Sequence, residues 1–167
     1  FGARIIDPED NPKYLNSAES DIFKKGRELY GLNEILNSKH KPNKIIAVEG
    51  YTDVLSLFSN NINYAVATLG IATSKYHLEK IFNHVDEVIF CFDGDEAGVK
   101  AAESALGICL PILRDGKKMK FLFLPEDEDP SSLLEKEGKD DFEKRIDTAT
   151  ILSEYLFDMV LKKYDDS

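Results

Sequence analysis

The sequence predicts an α/β fold built on a central, mostly parallel sheet flanked by helices, and three observations carry that prediction. Near-continuous apolar runs, IIAV from residue 45, VIFCF from 88 and FLFL from 121, have the composition of strands covered on both faces. These runs alternate with helical patterns of about ten residues, the order of right-handed βαβ crossovers. Two of the runs also stop at acidic residues beside a glycine, in EGYTD at 49–53 and DGDEAG at 93–98, before helical pattern resumes.

Taken in order, residues 2–6 read as a short strand and DPEDNP at 7–12 as turns marked by Pro8, Asn11 and Pro12. DIFKKGRELYGL at 21–32 reads as helix-like, with Ser17 as a candidate cap ahead of it. HKPN at 40–43 is a break. The regular part follows, with strands expected at 44–49, 63–67, 87–92 and 118–124 and helices at 52–60, 74–83 and 96–110. In the last of these helices Ala97, Ala101, Ala105 and Cys109 recur every four residues, with Gly98 and Ala102 beside them, a small-residue stripe suited to lying close against a sheet. After residue 124 come an acidic loop, PEDEDPSS, a helical stretch and a final amphipathic helix over TILSEYLFDMVLKKY, with no further strand expected.

The chain has 167 residues, 43% of them hydrophobic and 31% charged, enough for one full domain and parts of its neighbours. No apolar run approaches the roughly 20 residues that span a bilayer, and FGARIID is not a secretory leader, so neither secretion nor a membrane is expected and the cytoplasm is. The chain opens without methionine on a strand-like segment, which predicts a piece of a longer protein. Cys91 and Cys109 fall on a buried strand and an apolar helix face, far from any CxxC spacing, and read as core thiols in a reducing compartment.

A net charge of −10 argues against a protein that grips nucleic acid with its whole surface. The distribution matters more: Lys and Arg match Asp and Glu at seven each in residues 1–41, stand at eight against ten in 42–124, and at six against fourteen in 125–167. A basic patch near the N-terminus is therefore compatible with the total. Lys13, Lys24, Lys25 and Arg27 cluster there with Tyr14, a mixture suited to phosphate and base contacts, although for any one of these lysines a solvated surface position is the better reading.

The chemistry is expected where strand ends line up along one rim of an open parallel sheet, the place where ligands bind in such folds. Glu49, Asp93 and Asp95 would converge there, and Asp129 follows another strand end and can reach the same rim. Carboxylates gathered on one edge repel one another unless a cation neutralises them, and oxygen-only ligands suit Mg²⁺ or Mn²⁺. In Asp93-Gly94-Asp95 the two carboxylates lie two residues apart while the glycine permits a tight turn. Against this, Asp95 and Asp53 also stand where helix N-terminal residues satisfy free N–H groups, and Tyr51 where a ring packs over a strand end. His40, His77 and His84 show no metal-ligand spacing and receive no catalytic role.

Six ordered motifs, FGARII, PKYLNSAESDIFKKGRELYGL, VEGYTDV, INYAVATLG, FDGDEAG and FLFLPEDEDPSSLLEKEG, together resemble the catalytic core of bacterial DnaG-type DNA primases. The resemblance implies the end of an N-terminal subdomain at 1–41, a TOPRIM domain at 42–124, and an acidic metal-site loop with the start of a helical subdomain at 125–167. It implies that Glu49, Asp93 and Asp95 are catalytic metal ligands, with Asp129 a further one, and that Arg4, Lys13, Asn16 and Lys25 line a groove for nucleotide and template. Gly50, Tyr51 and Asp53 belong to the metal motif, and Thr68 and Gly70 to a second loop near the nucleotide. Where the family usually shows Asp-Pro-Asp, this chain has Asp129-Pro130-Ser131, which questions a peripheral metal position unless Glu128 or Asp127 substitutes.

The function implied is synthesis of short RNA primers on a single-stranded DNA template from ribonucleoside triphosphates. The family's zinc-binding domain and its replicative-helicase-binding region lie outside this chain. Glu49 either completes a metal shell or takes the hydroxyl proton. The alternatives are a TOPRIM nuclease or topoisomerase, though none of the seven tyrosines stands in a recognisable nucleophile motif; a phosphohydrolase using Asp93 as nucleophile; and a non-catalytic scaffold, which the retained acidic cluster disfavours.

Overall fold

The computed structural model describes residues 2–4, 14–69 and 72–165. Its organising element is a five-stranded sheet formed by β3 (Lys44–Val48), β4 (Ala65–Ala67), β5 (Glu87–Phe92), β6 (Lys118–Phe123) and β7 (Thr150–Ile151) in the order β4-β3-β5-β6-β7. The first four are mutually parallel, with Ile46 opposite Ala65, Ile45 opposite Val88 and Phe90 opposite Phe121; β7 pairs antiparallel to β6. The chain leaves β3 toward β4 on one side, then crosses back to place β5 on the other. The strand order therefore reverses between β3 and β5, and their carboxyl ends open a crevice.

Strand side chains alternate strictly between two cores. Ile45, Ala47, Val88, Phe90, Phe92 and Phe121 point to one face, covered by α1 (Leu32–Asn37), α3 (Lys75–Phe82), α4 (Glu96–Cys109) and α7 (Leu152–Asp165). Ile46, Val48, Ile89, Cys91 and Leu122 point to the other, covered by α2 (Tyr51–Ser59), α5 (Pro130–Glu137) and α6 (Lys139–Asp147). On the first face Phe90, Phe92, Phe121 and Phe123 stack in a ladder that Tyr155 of α7 closes at 4.7 Å from Phe121. Gly98, Ala102, Ala105 and Cys109 are the buried small residues of α4, whereas Ala97, expected on that stripe, faces solvent, because the helix turns its Gly98 side toward the sheet.

Ahead of the sheet, β1 (Gly2–Arg4) pairs antiparallel with β2 (Tyr14–Asn16). The turns expected at 7–12, and Ile5 and Ile6 of the expected first strand, lie outside the described residues. The helix expected over 21–32 does not form: a single 3-10 turn, Lys25–Arg27, replaces it. Ser20 and Phe23 exchange main-chain bonds in a tight turn, and Tyr30 is drawn out as an extended bridge to Ala67 with both bonds at 3.0 Å. Gly31, at φ 86°, then allows α1 to start. No helix follows Ser17 directly.

The final helix is also shorter than expected, since Thr150 and Ile151 are taken by β7 and α7 starts at Leu152. Two residues hold no alternation that could announce a strand. Because α5 and α6 pack beneath the sheet, the acidic C-terminal stretch contributes to the core through Leu133, Leu134, Phe142 and Ile146. Phe142→Ala should accordingly lower stability by about 3–5 kcal/mol in urea denaturation followed by circular dichroism. A loss under about 1 kcal/mol would show that α6 is not part of the cooperative unit.

Candidate functional site

Glu49 follows the last residue of β3, and Gly50 begins the turn into α2. Asp53 reaches back from the first turn of α2, its carboxylate accepting the Gly50 N–H at 3.0 Å. On the adjacent strand of the sheet, β5 ends at Phe92 and is followed by Asp93, Gly94 and Asp95. Asp95 caps α4 by accepting the Gly98 N–H at 2.7 Å through Oδ1, which leaves Oδ2 outside that bond. The capping role weighed for Asp53 and Asp95 is thus realised in both.

Both glycines of the second motif are demanded by close backbone approach. A Cβ on Gly94 would lie 1.8 Å from the carbonyl oxygen of Pro125, and one on Gly98 would lie 2.2 Å from that of Asp93. The loop leaving β6 therefore lies directly on the peptide between the two aspartates, and the Gly94 N–H donates to the Glu128 carbonyl at 3.4 Å.

The electrostatics report the convergence of these strand tips. Glu49 keeps an exposed end, but partial desolvation by the surrounding rim, then the charges of Asp93, Asp95 and Asp53, lift its pKa from 4.5 to about 7. The structure brings these four carboxylates into one field. Among the described residues, no group of three or more His, Cys, Asp or Glu side chains stands close enough to hold one ion together. The donor chemistry fits a hard divalent cation all the same, since every group is a carboxylate and Glu49 ionises against its neighbours.

Asp129 is committed locally. It caps α5, its Oδ1 accepting the Ser132 N–H at 2.7 Å, while its own N–H donates to Ser132 Oγ at 3.0 Å. Glu128 accepts the Ser132 hydroxyl at 2.6 Å and pairs with Lys136, and the hydrogen bond from Lys136 holds its carboxyl below the usual range. Asp127 is exposed at φ 62°. Of the two residues considered as substitutes for the missing Asp at 131, Glu128 is thus engaged inside its own loop.

Two pockets lie on this side of the sheet, one reaching Glu49 and the other Tyr51, at the start of α2. One of about 310 Å³ is lined by Glu49, Thr68, Thr73, Cys91, Phe92 and Ala101, so the expected Thr68 does stand beside Glu49. The other, about 370 Å³, is lined by Gly2, Asn16, Phe23, Tyr30, Tyr51 and Leu69. Here the Asn16 amide donates to the Leu69 carbonyl at 3.4 Å, and the Tyr30 and Tyr51 rings meet edge-on at 6.0 Å. A Cβ on Gly2 would touch the Tyr51 ring at 2.9 Å, so β1 rests on the first residue of α2. Lys13 and Gly70 lie outside the described residues, as does the side chain of Arg4.

Lys25 sits in the 3-10 turn, its N–H donating to Glu19 at 2.9 Å. That turn is held by α3 through two residues to which the sequence reading assigned nothing: Ser74 Oγ donates to the Gly26 carbonyl at 2.5 Å, and His77 Nε2 lies 2.9 Å from the Lys25 carbonyl. The available signal was the Ser-x-x-His spacing at a helix start, a variant of the capping box.

Residues 43–123 match the Toprim domain family, and residues 1–36 match the N-terminal domain of the DNA primase catalytic core. The DNA primase of Escherichia coli (strain K12) is 48% identical over 165 residues, which is 99% of this chain and 28% of that protein. The chain belongs to the bacterial DnaG-type primase family. The Pseudomonas aeruginosa DNA primase is 50% identical over 99% of the chain, again a quarter (25%) of its own length. Among solved structures, a DnaG catalytic core superposes with a TM-score of 0.92 at 48% identity over 97% of this chain and 52% of that one. The zinc-binding and RNA polymerase domains of Aquifex aeolicus primase do so at 0.80 with 33% identity, over 99% of this chain and 40% of that one. This DnaG-family chain thus spans roughly a quarter of its curated relatives and about half of the core structures.

The raised pKa of Glu49 fixes a pH dependence. Its folded value exceeds its unfolded one, so the stability it contributes is fully present below pH 4.5 and is lost as pH rises through about 7. Glu49→Gln should therefore raise thermal stability at pH 8 by about 1 kcal/mol, a figure reduced for solvent screening of the exposed tip, and have little effect at pH 4. Millimolar Mg²⁺ should lower the Glu49 pKa in a carboxyl-resolved NMR titration. An unmoved titration would remove Glu49 from the cation's neighbours.

Proposed function

We propose that this chain carries the acidic half of a primase active site, joining ribonucleotides on a single-stranded DNA template by attack of a 3′-hydroxyl on an α-phosphate with release of pyrophosphate. The observation that carries this reading is the shared field of Glu49, Asp93 and Asp95 at the reversal of strand order, in a chain 48% identical to a DNA primase. A divalent cation, Mg²⁺ or Mn²⁺, would be held by Glu49, Asp93 and Asp95 and would offset the negative charge of the polyphosphate. Asp129 is a peripheral contributor through its oxygen outside the cap bond. The alternative role for Glu49, outside the metal shell, is to accept the hydroxyl proton, for which its raised pKa of about 7 without a cation is suited.

Phosphate contacts are assigned to Lys25 and, on the family resemblance alone, to Lys13 and Arg4; Asn16 and Tyr51 border the pocket that receives a nucleotide or a template base. Gly50 and Asp53 shape the turn that presents Glu49, Thr68 lines the pocket beside it, and Gly70 is assigned to the nucleotide on the family resemblance alone. A DnaG primase catalytic domain that is 48% identical, with a TM-score of 0.91, has been solved bound to single-stranded DNA, which supports the same ligand here. Ribonucleoside triphosphates are the second substrate, and a replicative helicase engages through a region outside this chain. The cytoplasm is the compartment this reading assigns, and no helix among the described residues is long and apolar enough to cross a membrane. Phosphodiester cleavage by a TOPRIM nuclease or topoisomerase is set aside, because the relatives at this identity are primases.

The test separates capping from catalysis. In the full-length protein, Asp95→Asn keeps a helix-capping side chain but removes the charge. Templated incorporation of labelled ribonucleotides should fall by at least about a hundredfold, with the melting temperature nearly unchanged, and Asp93→Ala should do the same. Retained synthesis in Asp95→Asn would assign Asp95 to the cap alone.

A further inference from the structure

The 3-10 turn Lys25–Arg27 is held in an unusual way. Its three successive carbonyls, of Lys25, Gly26 and Arg27, each accept from a side chain of one helix or its cap: His77 Nε2 at 2.9 Å, Ser74 Oγ at 2.5 Å and Lys80 Nζ at 3.0 Å. His77 is fully buried, and its Nδ1 accepts the Ser74 N–H at 3.2 Å, so Nε2 carries the proton and donates to the Lys25 carbonyl. Burial lowers its pKa, which keeps the ring neutral in this role. Lys80 also pairs with Glu28 at 2.8 Å, neutralising the acid that follows the turn, while the Arg27 guanidinium lies over the Tyr76 ring at 4.7 Å. With three carbonyls fixed toward α3, the backbone dihedrals of the turn are set, and with them the Cα–Cβ directions of Lys25 and Arg27. A turn of mixed lysine and arginine in a chain of net charge −10 is thus ordered by a helix that contributes no group to the carboxylate site.

We propose that His77, assisted by Ser74, is a positioning residue for a nucleic-acid phosphate: it acts through Lys25 and touches no substrate. The inference rests on the reading that Lys25 binds polyanionic backbone, and the experiment separates the two. In the full-length protein, the affinity of a fluorescent single-stranded DNA oligonucleotide is followed by anisotropy against salt concentration. Lys25→Ala and His77→Ala should each weaken binding by about tenfold. Each should also reduce the salt slope by about one. The double variant should be no worse than either single, because both remove the same contact. His77→Gln, whose amide can donate to the Lys25 carbonyl, should recover affinity to within about twofold of the wild type. Should His77→Ala not fold, Ser74→Ala takes its place in the cycle.

If Lys25→Ala weakens binding while the His77 and Ser74 variants leave affinity and slope unchanged, or if the losses add in full, the positioning role is overturned and the basic turn stands. If Lys25→Ala itself changes nothing, the reading beneath the inference fails, and the inference with it.

Discussion

Mutual repulsion among carboxylates at the reversal of strand order is the constraint on which the molecule is arranged. Four acidic side chains are delivered there by two strands that lie side by side only because the chain crosses from one side of β3 to the other. A globular chain gains nothing from such a gathering by itself; burial at the rim first, and then the charges of Asp93, Asp95 and Asp53, raise the Glu49 pKa. The arrangement is stable because it is built on elements with a great deal of buried apolar surface, the alternating strand faces and the phenylalanine ladder beneath the rim. Such a field at a crevice is suited to cations and to the polyphosphates that travel with them.

Main-chain contacts transmit that arrangement to its surroundings. Gly94 and Gly98 allow backbone oxygens to approach where any side chain would collide, so the β6 exit loop and the start of α4 are both fitted to the Asp-Gly-Asp turn. Asp53, Asp95 and Asp129 each spend one oxygen on a helix N-terminus, which fixes their position before any ligand arrives. In each of the three the cap bond engages a single carboxylate oxygen.

Much of the sheet was legible in the amino-acid sequence because strands covered on both faces need unbroken apolar runs, and IIAV and VIFCF can hardly be anything else between helical patterns. The acidic tips were legible for a related reason, since a charge straight after such a run must lie at a strand end. What escaped was whatever tertiary partners decide. Residues 21–32 have helix-forming composition, but the bridge of Tyr30 to Ala67 and the three carbonyls held by α3 draw that segment out of helical geometry. Thr150 and Ile151 became a strand only because β6 offered an open edge. The Ser-x-x-His spacing marks only a helix start; the tie from His77 to the Lys25 carbonyl, 52 residues away in sequence, carried no signal, because main-chain acceptors leave no trace in composition.

The bridge between Tyr30 and Ala67 has one more consequence. It appends the N-terminal segment to the outer edge of β4 with two main-chain bonds of 3.0 Å, while Gly2 and Asn16 lean on Tyr51 and Leu69 from the same side. Swinging the aromatic pocket away from the carboxylates at this junction would have to break both bonds of that bridge. The N-terminal hairpin and the edge of the sheet are thereby coupled through main-chain bonds as well as through side chains.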